Sequence, residues 1–253
     1  LDMGEWTIAT AGPDRIVAAN RQRNGGIACF DAASGDMLWQ HEAAIVSSLS
    51  VSDDGSQLAL FTVIPGEGIV AGLVDAATGD ALAWAELDNP AFLEFPLFLP
   101  SCLDGAKACL ATGGTLVIAD FESATMKAFQ MNDMMAWSAQ AEGGIAVIAS
   151  SHPTAERSPQ NLAAEVSAID LAKGSIGWTD RTSYDYAAVG DPHQAATVTG
   201  DPHAWGFLRA GGEAAVAWSA GSTLHVSLLA DGRDVASYDF PSPIVGTGIT
   251  PTT

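Results

Sequence analysis

An all-β fold of repeated four-stranded sheets is predicted by three observations on this 253-residue chain. The first is a recurring phrase of strand, aspartate, tight turn, second strand and aromatic residue. It reads Phe30-Asp-Ala-Ala-Ser-Gly-Asp-Met-Leu-Trp39, then Leu73-Val-Asp-Ala-Ala-Thr-Gly-Asp-Ala-Leu-Ala-Trp84, and more weakly Ile118-Ala-Asp-Phe-Glu-Ser-Ala-Thr-Met-Lys-Ala-Phe129. Two further copies end on Trp178 and Tyr238. The second is the period, since these aromatic positions are separated by 45, 45, 49 and 60 residues. The third is that the runs between them are short apolar strands broken by Asp/Gly turns. A period in this range with such strands marks one four-stranded blade per unit, as in a β-propeller. Five units are visible, at approximately 5–42, 43–88, 89–132, 133–181 and 204–240, with an insertion at 182–203 and a tail at 241–253. They form a single propeller domain, either a five-bladed ring or part of a six- to eight-bladed one.

Each unit divides into strands a to d. In the first, Trp6–Ala11 is a, Ile16–Asn20 is b, Gly26–Asp31 is c and Met37–His41 is d. The second has Ile45–Val51, Gln57–Val63, Ile69–Asp75 and Ala81–Leu87, with Ser52-Asp-Asp-Gly55 turning between a and b. Glycine there supplies the positive φ that a tight hairpin requires. In the third, Phe92–Pro100 leads in, Leu103-Asp-Gly105 turns, and Lys107–Ala111, Leu116–Asp120 and Met126–Met131 follow. The fourth has Met135–Ala139 and Ile145–Ser150, then a polar loop Ser151–Gln160, then Ala164–Asp170. The fifth resumes after the insertion with Ala204–Leu208, Ala214–Ser219, Leu224–Leu229 and Val235–Phe240. The tail Ser242–Thr250 reads as one more strand a.

Composition narrows the partners. Thirty acidic residues against ten basic ones give a formal charge of −20. Such a surface repels nucleic acid phosphates and anionic lipid, and suits a basic protein partner or solubility in high salt. No run approaches the ~18 consecutive apolar residues of a membrane helix. The chain begins at Leu1 with no leader ahead of it, which is expected of a processed or longer precursor. Cys102 and Cys109 flank a hairpin-like turn and can face each other on paired strands; a disulfide there implies an oxidising, extracytoplasmic compartment, while the plainer reading is two buried thiols. Cys29 is expected to be a small buried hydrophobe.

Phe30-Asp-Ala-Ala-Ser-Gly-Asp-Met-Leu-Trp39, Asp75-Ala-Ala-Thr-Gly79 and Ile169-Asp-Leu-Ala-Lys-Gly-Ser-Ile-Gly-Trp178 resemble the repeat of pyrroloquinoline-quinone-type propellers. Val51-Ser-Asp-Asp-Gly-Ser-Gln-Leu-Ala59 resembles the turn of WD-like propellers. The resemblance spans nearly the whole chain and specifies architecture. Relatives of this kind include quinone-dependent dehydrogenases, amine dehydrogenase heavy chains and non-catalytic scaffolds of outer-membrane assembly, so fold alone does not fix function. The quinone enzymes are similar in having eight blades, adjacent cysteines and a calcium site; this chain lacks the adjacent cysteines, and no cofactor is expected.

Strand topology sorts the loops by face. The a–b and c–d turns share one acidic face, where Asp31, Asp75, Asp120 and Asp170 are expected to cap their own turns through side-chain to backbone bonds. The other face collects Arg21, Arg23, His41, His152, Arg157, Arg181, Asp191, His193, Asp201 and His203 together with the two long insertions, and is the expected binding face. Gly190-Asp-Pro-His193 and Gly200-Asp-Pro-His203 offer two imidazoles and two carboxylates to a divalent metal, but Gly-Asp-Pro is also an ordinary turn former. Trp39, Trp84, Phe129, Trp178 and Tyr238, one per unit, are expected to pack between blades. No phosphate-binding glycine loop, Ser/His/Asp order or CxxC pair is present. The leading expectation is a non-catalytic, extracytoplasmic propeller that scaffolds or binds other proteins. The alternative is a subunit of a quinone- or amine-type redox dehydrogenase, or a glycan-active propeller enzyme.

Overall fold

The computed structural model describes residues 6–20, 26–42, 46–64, 68–88, 100–112, 114–131, 135–153, 161–185, 202–242 and 244. They form twenty strands in five antiparallel four-stranded sheets, with no helix among the described residues. Blade 1 is β1 (Trp6–Thr10), β2 (Arg15–Asn20), β3 (Ile27–Asp31) and β4 (Met37–His41). Blade 2 is β5 (Ser48–Val51), β6 (Gln57–Ile64), β7 (Gly68–Asp75) and β8 (Ala81–Asp88). Blade 3 is β9 (Ser101–Asp104), β10 (Lys107–Thr112), β11 (Thr115–Asp120) and β12 (Thr125–Gln130). Blade 4 is β13 (Met135–Glu142), β14 (Ile145–Pro153), β15 (Asn161–Asp170) and β16 (Ser175–Asp185). Blade 5 is β17 (His203–Ala210), β18 (Glu213–Ala220), β19 (Thr223–Leu228) and β20 (Asp234–Asp239). In every sheet the strands lie in sequence order, so each blade is a simple meander. This is the β-propeller blade expected from the repeat.

Several strand limits differ from expectation, two of them in segments assigned to loop or insertion. Ser151 to Pro153 extend β14, and Thr182 to Asp185 extend β16, so both segments assigned to loop and insertion are paired strand. Ser, Pro and Asp in those stretches read as turn formers, yet both strands find partners there and the ladder continues. In the tail, Ile244 N–H donates to the carbonyl of Gly221 in the β18–β19 turn at 2.9 Å.

Chain contacts divide the molecule into two compact units, Leu1–Gln130 and Met131–Thr253. In the first, β5 packs beside β1 and β9, and two apolar layers form. Val17, Ile27 and Cys29 of blade 1 meet Leu58, Leu60 and Val74 of blade 2. Phe61, Ile69 and Leu73 of blade 2 meet Leu110, Val117 and Phe121 of blade 3. In the second unit, Val147, Ala149 and Val166 of blade 4 pack on Val216 and the fully buried Trp218 of blade 5. Cys29 is buried, as a small hydrophobe should be.

The third-to-fourth strand turns carry the repeat's chemistry. Asp31 Oδ1 accepts the N–H groups of Ala33 and Ser34 at 3.0 and 2.7 Å. Asp75 does the same for Ala77 and Thr78, Asp120 for Glu122 and Ser123, and Asp170 for Ala172 and Lys173. These bonds favour the ionised carboxyl and lower the pKa of Asp31 and Asp75. At Asp120 and Asp170 the ammonium groups of Lys107 and Lys173 are the larger cause of the lowering, and the turn bonds add to them. Four residues past the first turn position the chain takes positive φ, at Gly35, Gly79, Gly174 and Gly232. Blade 3 puts Ala124 there with φ of 52°, a conformation that costs an L-residue about 1–2 kcal/mol.

Onto this turn the preceding blade sets its tryptophan. Trp39 Nε1 donates to the Ala76 carbonyl of blade 2 at 3.1 Å, and Trp178 Nε1 donates to the Leu229 carbonyl of blade 5 at 2.8 Å. The indoles lie so close to Gly79 and Gly232 that an added Cβ would stand 2.8 and 2.7 Å from ring carbons. Trp84 corrects the expectation for this series. It lies in its own sheet over Gly72, 2.6 Å from where a Cβ would be, and is 53% exposed. Trp39 and Trp178 stand eight residues after their aspartates, whereas Trp84 stands nine after Asp75, and all three hairpins carry a bulge. One extra residue therefore turns the side chain to the opposite face. Ala83 takes the wedge position and packs toward blade 3. Phe129 is half-buried, on a hairpin without a bulge. Tyr238 is 55% exposed on blade 5, which also departs from the expected packing between blades.

Three outcomes follow from these turns and wedges. Ala124→Gly should raise unfolding stability by about 1 kcal/mol, read as a higher urea midpoint at constant slope. Trp178→Phe should cost about 2 kcal/mol in the same assay, from lost ring volume and an unpaired Leu229 carbonyl. The lowered aspartate pKa values contribute stability that is complete above the unfolded carboxyl range. That contribution disappears as pH falls through the folded values, so far-UV circular dichroism should hold at neutral pH and be lost below about pH 4.

Candidate functional site

Of the residues assigned to the binding face, Arg21, Arg23, Arg157, Asp191, His193 and Asp201 lie outside the described residues. His152 lies on β14 opposite Ala163. His41 ends β4, is exposed, and sits 5.6 Å from the Trp39 ring. His203 opens β17 with its ring 4.5 Å from Trp205, and burial lowers its pKa. Among the described residues no group of three or more His, Cys, Asp or Glu side chains could hold a metal.

Cys102 and Cys109 stand directly opposite each other on β9 and β10, both buried and both free thiols. Burial and the Cys102 side chain push the Cys109 thiol well up. Ala111 N–H donates to the Pro100 carbonyl, which makes Cys109 and Cys102, two residues along, a hydrogen-bonded pair of the ladder. Such pairs hold their Cβ atoms roughly 5.5 Å apart, against about 3.8 Å in a disulfide. Forming the bond would require the strands to shift.

Arg181 is the member of the expected face around which the structure builds a site. It lies on β16 directly opposite Glu165 of β15, and its Nε donates to Glu165 Oε2. The Glu165 side chain is only 4% exposed, against 57% for Arg181. A carboxylate buried to this degree is costly unless paired and hydrogen-bonded. Arg181 and the Ser167 hydroxyl, at 3.4 Å from Oε1, serve that need. Ser167 in turn pairs with the Thr179 hydroxyl at 3.1 Å. Met131, Ile176, Thr179, Glu165 and Arg181 line an open cleft of about 390 Å³. At the same ladder position the other blades hold Val70 opposite Glu86, Thr115 opposite Gln130, and Thr223 opposite Asp239. Among the described residues, only blade 4 sets a buried carboxylate against a cation at this position. Glu165 was missed because binding residues were sought in loops; the signal was a lone charge inside the apolar run 162–169.

Two other arrangements escaped the sequence. Trp137 and Trp205 occupy bulges in the first strands of blades 4 and 5, each donating its Nε1 to a second-strand serine, Ser151 or Ser219, at 2.9 Å. In blade 5, His225 stacks on Trp218 at 4.1 Å, and its Nδ1 meets Asp234 at 2.9 Å. Ser227 bonds both Asp234 and the Trp218 indole.

The fold is that of a β-propeller of four-stranded blades. Among solved structures, the chain is similar to AztD from Citrobacter koseri, a β-propeller protein, at 12% identity and a TM-score of 0.51. That match covers 95% of this chain and 61% of AztD. Similarity at 16% identity and a TM-score of 0.46 extends to BamB from Moraxella catarrhalis, covering 94% of this chain and 86% of BamB. The computationally designed Ika8 protein is similar at 12% identity and a TM-score of 0.44, covering 98% and 91%. At these identities the likeness is one of fold. No protein-family model matches the chain, and no curated protein matches it in sequence.

The Glu165–Arg181 pair should reveal itself as coupled. Arg181→Ala is expected to cost about 2 kcal/mol, because a buried carboxylate loses the cation facing it across the ladder. Added to Glu165→Gln, it should cost about 1 kcal/mol less than the sum of the single changes, measured by a double-mutant cycle in urea.

Proposed function

We propose that this protein is a non-catalytic β-propeller that docks a basic protein partner along its outer strands, in an extracytoplasmic assembly. One observation carries the reading: the exposed large apolar side chains gather on fourth strands. Met37 and Leu38 lie on β4, Leu82 and Trp84 on β8, Ile176 on β16, and Val235 and Tyr238 on β20; among the described residues only Leu208 and Phe240 lie elsewhere. Fourth strands are also sheet edges, with one side of the backbone unpaired within the blade. Apolar surface on an open edge invites another chain, and propellers ordinarily keep such edges polar. Exposed acids alternate with these residues, among them Asp36, Asp80, Glu86, Asp234 and Asp239. Together with a net charge of −20, they favour a cationic partner and resist self-association. No helix among the described residues is long and apolar enough to cross a membrane, and the extracytoplasmic placement rests on the propeller resemblance alone.

Photo-crosslinking groups placed at positions 82 and 176 in the native host should yield an adduct with one basic protein, while groups at the turn positions 33 and 172 should not. Leu82→Glu should abolish co-purification of that partner at unchanged melting temperature, and rising salt should weaken the complex. Equal labelling from the turn positions, or none from the outer strands, would defeat the reading.

A further inference from the structure

We propose that the cleft between Glu165 and Arg181 on blade 4 binds a carboxylate group attached to a small aliphatic body. A guanidinium carries five N–H donors in a rigid fork. The Nε–H of Arg181 is taken by Glu165, and the outer nitrogens have no partner among the described residues. Glu165, buried and in turn held by Ser167, fixes the arginine in one orientation, so little side-chain freedom remains to be lost when a ligand arrives. The free edge of such a fork matches the two oxygens of a carboxylate. Thr179 adds a hydroxyl beside it, and Met131 and Ile176 give the cleft apolar walls.

Charge selects among anions. Arg181 is the one cation among the described lining residues, and the chain as a whole carries −20, so a dianion such as phosphate would face the larger repulsion. A monoanion needs only the short-range fork, while the distant charges are screened beyond about 8–10 Å at physiological salt. The volume of about 390 Å³ fits a branched short-chain acid or the last residue of a peptide ending in an aliphatic side chain. Both present the same chemistry. Departure from the repeat supports a purpose beyond packing, because Val70 and Thr115 fill the same ladder position with no buried charge. The cleft shares Ile176 and strand β16 with the outer-strand docking surface, but binding of a small carboxylate there needs no partner protein.

The test is calorimetric titration of the whole chain with isovalerate, with acetyl-Gly-Gly-Leu, and with the same peptide as its C-terminal amide. The Arg181 Nε–H resonance is followed by NMR in parallel. Saturable binding of the acid or free peptide is expected, with a shift of that resonance and at least tenfold weaker binding of the amide. Arg181→Gln should weaken binding at least tenfold, and Arg181→Lys, which keeps the charge but lacks the fork, should weaken it also. Circular dichroism checks that each variant is folded, and the lysine variant decides the matter if the glutamine variant is not. Peptide bound at least tenfold tighter than isovalerate assigns the site to chain termini; equal affinity assigns it to small acids. No saturable binding, equal binding of the amide, or binding indifferent to both substitutions would overturn the proposal and leave a purely structural ion pair.

Discussion

The spacing between blades depends on a turn that serves two sheets at once. Within its own blade, an aspartate oxygen accepts two successive N–H groups and a glycine takes positive φ, which closes the outer hairpin. For the preceding blade the same glycine is a floor without a side chain, and a nearby carbonyl is an acceptor for the indole. Carboxylate, glycine and carbonyl thus belong to one local sequence, and the tryptophan of the preceding blade docks on it. Blade 5 has Leu228 where the others have aspartate, yet keeps Gly232, and it is Gly232 and the Leu229 carbonyl that Trp178 meets. Of the turn's components, the glycine and the carbonyl are therefore the ones the neighbouring blade requires.

This dual use explains how much was legible beforehand. Hairpin turns are decided by a few adjacent residues, so the five units and most strand limits could be read from Asp, Gly and apolar runs alone. Which way an outer-strand aromatic points depends on the count of residues between turn and ring, and on whether the hairpin bulges. Trp84 and Trp39 look alike in sequence and face opposite sides. The Cys102–Cys109 pair illustrates the same limit: their spacing makes them neighbours, while the parity of the ladder sets how far apart their Cβ atoms stand. Long-range packing also hid the charge at Glu165, whose partner lies on the next strand sixteen residues away.

Blade 4 is where the repeat is least faithful to itself. It has the longest described strands of the five blades, reaching Asp185 in β16, and among the described residues it alone places a buried carboxylate against an arginine. Blades 4 and 5 also share first-strand bulges that seat Trp137 and Trp205 on second-strand serines, a pairing absent from the described first strands of blades 2 and 3. A scaffold whose blades are interchangeable in architecture can specialise one of them without disturbing the rest, because each sheet pairs only with itself.

The residue count after the turn has an evolutionary reading. Inserting or deleting a single codon in an outer strand would rotate its side chains from the seam to the surface while leaving the three inner strands untouched. Trp84 and Ala83 then look like two settings of one dial: the aromatic displayed outward, the small residue left at the seam. Repeat proteins of this kind could acquire new surface chemistry by single-residue slips, without inventing a new loop.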